Sequence, residues 1–536
     1  MDPWSWICEL PESPEFVESD SHAVFHLADS PPSQDEPTRS IQLIAERTFE
    51  SDPESPSLTF KVMLLGFNRV NSSIWISDTC PLSSEKPFLP LVLQLLRELI
   101  SLSPVTTRDG SACGNPRLLE IKPDPVRWVM DSHSPESFSC VFNLIFLTRL
   151  FWLCVCDAPT EIGSFFLHNL FGPHVEALTG QHTPVLRTFF VSVGVDVELC
   201  ITRAASYALA KWLISKEVGM GLKQLSSPLP RQRIGFSYAT EAHGLWVLKG
   251  YFPTVSMSVT HCSSNDFHKI TKFPIMDPKE TVLRYALSHQ QAEAVVQFEY
   301  SVKFHESYIR VNARVDNIRV HVAKLGFHKG TEVTDMDYSE ERYFPSRVRV
   351  SIGPEIGSAN VTGLSLGRST NNEEREIEVT KVIKGSFGKV KVPRVKARAR
   401  MSTRRKLKDW KIERDCEGNG AVFDAILYDN ETGGEVTETR PYNYYEGDHN
   451  NNNNINYDKG FKNTFTKNGG MVFGGDEFGD EVGWRIGREM EGSVLKWRIR
   501  GKIWLSYWPN KLHTPFYETR FVEWSDEVDL PLVPMS

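Results

Sequence analysis

No two of the nine cysteines stand at the Cys-x-x-Cys spacing, and an odd number of them is spread thinly over 536 residues. That argues against a disulfide framework and against a cysteine-built zinc site, and reduced thiols suit the cytoplasm or nucleus. The first ten residues, Met1 to Leu10, contain no lysine or arginine and too short an apolar run for a signal peptide. They are also too acidic for a transit peptide. Without an expected secretory route, the sequons at Asn71, Asn360 and Asn430 carry no meaning in this reading. There is no HRD or DFG sequence and no visible internal repeat. A cytoplasmic or nuclear protein is expected.

What is present is enough apolar sequence to fold. Apolar residues make up 40% of the chain, and the length suits two to four domains at roughly 150 residues each. The net charge of −8 hides an asymmetry. Residues 1–55 hold 13 acidic and two basic residues, whereas 381–414 hold 14 basic and two acidic ones. Such polarity serves a polyanionic partner, or lets the two regions attract each other.

Residues 1–37, acidic and rich in serine and proline, predict a disordered arm. Strand-like runs follow at 40–48, 58–67 and 73–76. Val92, Leu95, Leu96 and Leu99 recur at helical spacing and predict a helix over 88–102. An amphipathic helix broken at Gly172-Pro173 is predicted over 160–179, a buried strand over 185–201, and an apolar-faced helix over 203–217. After Pro228-Leu229-Pro230 period-two runs take over, at 234–240, 245–260, 294–304, 308–322, 347–352, 376–383, 389–401, 421–428, 494–508 and 516–524. One helix is signalled near 278–293 by Asp277 as N-cap, Pro278 and Glu280. The Asn- and Gly-rich stretch 441–483 predicts a mobile insertion. The fold class expected is α+β. A helix-rich N-terminal part, 38–228, packs on a large antiparallel β-sandwich-like domain, 229–536.

Two of the strand-like runs alternate cations with apolar residues. In the first, Lys389 and Lys391 share a face, and after Pro393 so do Arg394, Lys396, Arg398 and Arg400. A bulge at the proline keeps all six on one side. In the second, Lys496, Arg498, Arg500, Lys502, Trp504 and Trp508 alternate with Leu495, Trp497, Ile499, Ile503, Leu505 and Tyr507. Arg347 and Arg349 give a shorter version, and Arg404, Arg405, Lys406 and Lys408 make a cluster like a nuclear localisation signal. A cationic face with aromatics tracks phosphates and stacks bases, rests on anionic lipid, or meets an acidic protein. The plain alternative is a solvated face whose charges protect sheet edges. A third reading has the acidic arm cover the basic face within the chain.

The most apolar run, 138–156, has 15 apolar residues in 19 and is near the lower limit of membrane-spanning length. Arg149 inside it would cost about 2.5–3.5 kcal/mol on insertion. A buried core helix is preferred; a membrane anchor, with acylation of Cys154 and Cys156, is the alternative.

Catalytic motifs are imitated rather than met. Gly363-Leu364-Ser365-Leu366-Gly367 fits the nucleophile-elbow pattern, but polar residues follow it where a helix is required. Gly385 and Gly388 resemble the end of a kinase glycine loop and read better as a hairpin turn. His261, Cys262 and His268 make no known metal spacing. Trp4-Ser5-Trp6-Ile7-Cys8-Glu9-Leu10-Pro11 and Asp409-Trp410-Lys411-Ile412-Glu413-Arg414 resemble a plant protein family of unknown function. That resemblance implies no fold, activity or site residue. The function expected is non-enzymatic binding or scaffolding through a basic sheet face, with no cofactor and no metal. The alternatives are a membrane-associated protein held by 138–156 and an enzyme whose residues gather from distant loops.

Overall fold

The computed structural model describes residues 2–12, 22–31, 38–49, 56–67, 71–106, 121–156, 160–179, 184–219, 235–254, 290–326, 343–355, 360–366, 375–387, 395–407, 410–428, 434–436, 471–474, 481–507 and 518–534. It is a mixed α+β chain of helices and antiparallel sheets. Two units divide it. One comprises Met1–Thr240, Lys249–Ala294 and Val322–Arg342, the other Glu241–Leu248, Val295–His321 and Tyr343–Ser536.

The first unit begins with α1 (Pro3–Glu9), not with a disordered arm. Asp2 caps it, its Oδ1 accepting the N–H groups of Trp4 at 3.0 Å and Ser5 at 3.2 Å, and Pro3 presets the first turn. Trp4 and Ile7 are buried, and β1 (His22–Asp29) pairs with β2 (Ser40–Phe49). The acidic composition concealed a helix with two core anchors and an edge strand. β2 continues through β3 (Pro56–Leu65) to β4 (Ser72–Ile76), and β5 (Cys80–Pro81) also pairs with β3. Alternate residues Leu58, Phe60, Val62 and Leu64 of β3 enter the core.

Helices α2 (Leu89–Leu102), α3 (Pro123–Ser132) and α4 (Pro135–Phe151) follow, with the short strand β6 (Val105–Thr106) after α2. α4 is capped by Ser134, is buried from Phe138 to Phe151 except at the half-buried Ser139 and Arg149, and runs on into a π-helical turn at Trp152–Cys156. Trp4 packs on its Phe138 and Phe142, with ring centroids 5.1 and 4.7 Å apart. A helix buried on all sides is a core helix. Its one cation, Arg149, pairs with Glu98 of α2, which also accepts from Trp75 Nε1 at 3.0 Å. Cys154 is fully buried, so it is closed to acylation in the folded chain.

α5 (Thr160–Phe166) passes through a π-helical turn at Leu167–Phe171 into α6 (Gly172–Thr179). The helix is not broken at Gly172. Glycine is needed there because a Cβ would lie 2.6 Å from Nε1 of Trp212. The expected strand at 185–201 is instead α7 (Pro184–Val193) and the start of α8 (Val195–Gly219). Pro184 starts the first helix, and Gly194, at φ +90°, separates the two. Val185 and Phe189, then Val197, Ile201, Ala205 and Leu209, are buried at helical spacing, so packing overrides the β-preference of valine and isoleucine.

An eight-stranded sheet has the order β12-β18-β10-β9-β8-β7, with β6 and β17 also pairing with β10. Its members are β7 (Phe236–Ala242), β8 (Leu245–Pro253), β9 (Gln290–Phe304), β10 (Tyr308–Gly326), β12 (Val361–Leu366), β17 (Met471–Gly474), β18 (Glu481–Gly487) and β6. Gln290 to Glu293, expected to end a helix, begin β9; the rest of that predicted helix lies outside the described residues. The predicted insertion at 441–483 contains β17 and the start of β18.

A five-stranded sheet in the second unit has the order β15-β16-β11-β19-β20. These are β11 (Tyr343–Pro354), β15 (Trp410–Glu417), β16 (Gly420–Leu427), β19 (Val494–Tyr507) and β20 (Glu518–Pro531). Trp497 of β19 meets Trp246 of β8 at 4.8 Å and Trp484 of β18 at 4.6 Å, so two sheets face each other across buried indoles. The remaining strands, β13 (Arg375–Phe387) and β14 (Val395–Leu407), pair only with each other among the described residues.

Candidate polyanion-binding surface

The candidate cations divide by strand. On β19 the predicted alternation holds: Leu495, Trp497, Ile499, Ile503, Leu505 and Tyr507 are buried, while Lys496 is exposed and Arg498, Arg500, Lys502 and Trp504 are half-buried. The adjoining strand supplies a row of carboxylates. Register sets Lys496 opposite Asp529, Arg498 opposite Glu527 and Lys502 opposite Glu523. Arg498 reaches Glu527 at 2.7 Å and Lys502 reaches Glu523 at 2.6 Å. Arg500 donates to Ser351 Oγ at 3.1 Å. Trp504 lies 5.0 Å from both the Arg347 and the Lys502 cation, so its ring serves the sheet's own charges.

Arg347 and Arg349 of β11 are held in the same way. Both donate to Asp424 of β16 through Nε and Nη2, over 2.6 to 3.0 Å. Burial opposes the charged form of Asp424, but the hydrogen bonds and charge of the two arginines outweigh it. They hold its carboxyl below the ordinary aspartate value. Arg498 and Lys502 of β19 and Arg347 and Arg349 of β11 thus form cross-strand ion pairs with carboxylates that the one-strand reading did not match to them.

The β13–β14 hairpin is different. Cα partners that stand directly opposite share one face of the ribbon. Lys396, Arg398 and Arg400 stand opposite Ser386, Lys384 and Val382. In the tip half of this row there are four cations and no carboxylate. In the base half, Arg404 and Lys406 stand opposite Glu378 and Glu376. Arg405 belongs to the other face, opposite Ile377. Lys384 was missed in the sequence because its own strand does not alternate charges. Lys389, Lys391, Arg394 and Trp508, with the proposed bulge at Pro393, lie outside the described residues.

One more polar constellation is buried in the first unit. Glu198 of α8, 1% exposed, accepts from Tyr238 Oη at 2.5 Å, Tyr251 Oη at 2.8 Å and Lys249 Nζ at 2.8 Å. Burial and then the Glu198 charge push both tyrosine hydroxyls well above their ordinary range. Five residues further along α8, Arg203 pairs with Glu293 of β9 at 2.9 Å, and Gln291 Nε2 donates to that carboxylate at 3.2 Å. Three strands and one helix are clamped by these bonds, with Oε1 of the buried Gln291 left without a partner among the described residues. That arrangement suits docking of the helix rather than chemistry on a substrate.

One imitated motif loses its chemistry in place. Ser365 is inside β12, paired opposite Gly483, and a nucleophile elbow requires a strand-to-helix turn. His261, Cys262 and His268 lie outside the described residues, and among the described residues no group of three metal-ligating side chains occurs. The sequence matches no protein-family profile and no curated protein. Solved structures with a detectable likeness include the Clostridium perfringens NetB toxin in its membrane-inserted form, at 8% identity and a TM-score of 0.17. The Clostridium perfringens delta-toxin is matched at 10% identity and a TM-score of 0.20. Each match spans 55% of this chain and 96% of the toxin. Likenesses this slight establish neither a shared fold nor a shared activity.

Proposed function

We propose that this chain is a non-enzymatic binding protein that engages a polyanion through the β13–β14 hairpin. The supporting observation is the contrast between two cationic rows. On β19 Arg498 and Lys502 pair with Glu527 and Glu523, and Lys496 has Asp529 in register; such cross-strand pairs are worth only a few tenths to about 1 kcal/mol to the sheet. On the tip half of the hairpin, Lys384, Lys396, Arg398 and Arg400 gather in one row with no acidic residue in register. Like charges held together repel, and a polyanion removes that repulsion while releasing its own counterions.

The test is binding of the full chain to a double-stranded DNA oligomer, as a generic polyanion, over a range of salt. Affinity should fall steeply with salt. The variant K396E/R398E/R400E should lose binding, with the salt slope lower by about 2–3, close to one unit per contact removed. Unchanged affinity in that variant overturns the proposal.

A further inference from the structure

The opposite face of the same hairpin narrows the partner. In the tip half, register puts Phe387 opposite Val395, Ile383 opposite Ala399 and Lys381 opposite Met401, with Ala397 opposite Gly385. One face is thus apolar but for Lys381 at its inner end, while the other carries the four cations. Nucleic acid would use the cations and leave the apolar row unexplained. A lipid surface uses both, because an amphipathic element sinks its apolar face to the acyl boundary and sets its cations among the headgroup phosphates.

The ribbon's geometry decides how it would lie. Each strand has 13 residues, so the hairpin is about 40 Å long. Among the described residues each strand has one unpaired edge. An open edge is not tolerated across hydrocarbon, where no water satisfies the backbone. A single hairpin of this kind is therefore stable in the interface plane and not as a span.

We infer that the β13–β14 hairpin is an interfacial anchor for anionic membranes. The inference rests on the polyanion reading above and specifies its partner. The experiment is co-sedimentation of the full chain with vesicles of phosphatidylserine and phosphatidylcholine, or of phosphatidylcholine alone, alongside the DNA oligomer. Wild-type protein should bind the anionic vesicles and resist a high-salt wash. K396E/R398E/R400E should bind them about 100-fold more weakly, at about fivefold for each cation. I383N/F387N should bind at low salt and be released at high salt. Hydrogen exchange on the wild-type chain needs no variant: amides of 375–387 and 395–407 should gain protection on the vesicles. DNA binding without vesicle binding, or vesicle binding without that protection, overturns the membrane inference and leaves the polyanion reading standing. Binding to neither probe overturns both.

Discussion

Asp424 receives four guanidinium hydrogen bonds from Arg347 and Arg349. A carboxyl held below its ordinary value contributes stability above the unfolded-state pKa, about 3.9, and loses it as pH falls through the lower folded value. Asp424→Asn should therefore cost about 1.5–3 kcal/mol near neutral pH, the range for hydrogen bonds to charged groups. The cost should vanish at strongly acid pH, where the wild-type carboxyl is protonated too. Urea melts of both proteins across that range check the sign; a cost that grows on acidification contradicts the assignment. Glu198→Gln should cost more, about 3–5 kcal/mol, because it leaves Lys249 without its buried partner. A thermal melt matching wild type would remove the clamp from the account. Burial pushes the Cys80 and Cys154 thiols up to about 12, whereas Cys156 and Cys416 are exposed. A thiol reagent at about pH 8 should modify the exposed pair and spare the buried pair in the folded chain. None of these partnerships was legible in the sequence. Asp424 and Arg347 stand 77 positions apart, and Glu198 meets Tyr251 across 53.

Among the elements, those with a clear period were legible. β2, β3, β8, β10 and β19 lie close to their expected positions because alternation fixes which face is buried. The helix now seen at Leu89–Leu102 was equally plain. The errors share a cause. A valine-rich segment reads as strand until one knows that its apolar residues line a helical core, as at α7 and α8. The acidic start reads as disorder until Trp4 and Ile7 find that core. β12 and β15 were not recognised because exposed edge strands carry little apolar pattern, and β15 has only Trp410, Ile412 and Cys416 as apolar residues. Gly501 tests the packing of β19 and β20. It stands opposite Trp524, and an added Cβ would collide with the indole. Gly501→Ala should destabilise by about 1–3 kcal/mol. A neutral change, read by chemical denaturation, would mean that the ring moves aside freely.

For the whole molecule, a chain of net charge −8 carries its densest positive stretch on one hairpin. The sequence displayed that density but not which cations are matched. Six of the candidate cations and aromatics belong to β19 or the residue after it, and register supplied the carboxylates that face three of them. The difference between the two rows is therefore what distinguishes a binding surface from a structural one. The most direct measurement compares K396E/R398E/R400E with R498E/K502E, as full-length proteins, by the salt concentration that elutes each from immobilised heparin. The hairpin variant should elute far earlier than wild type while its melting temperature holds. The β19 variant should lose stability and elute close to wild type while folded. Equal elution of the hairpin variant and wild type would contradict the account, and so would early elution of the β19 variant alone.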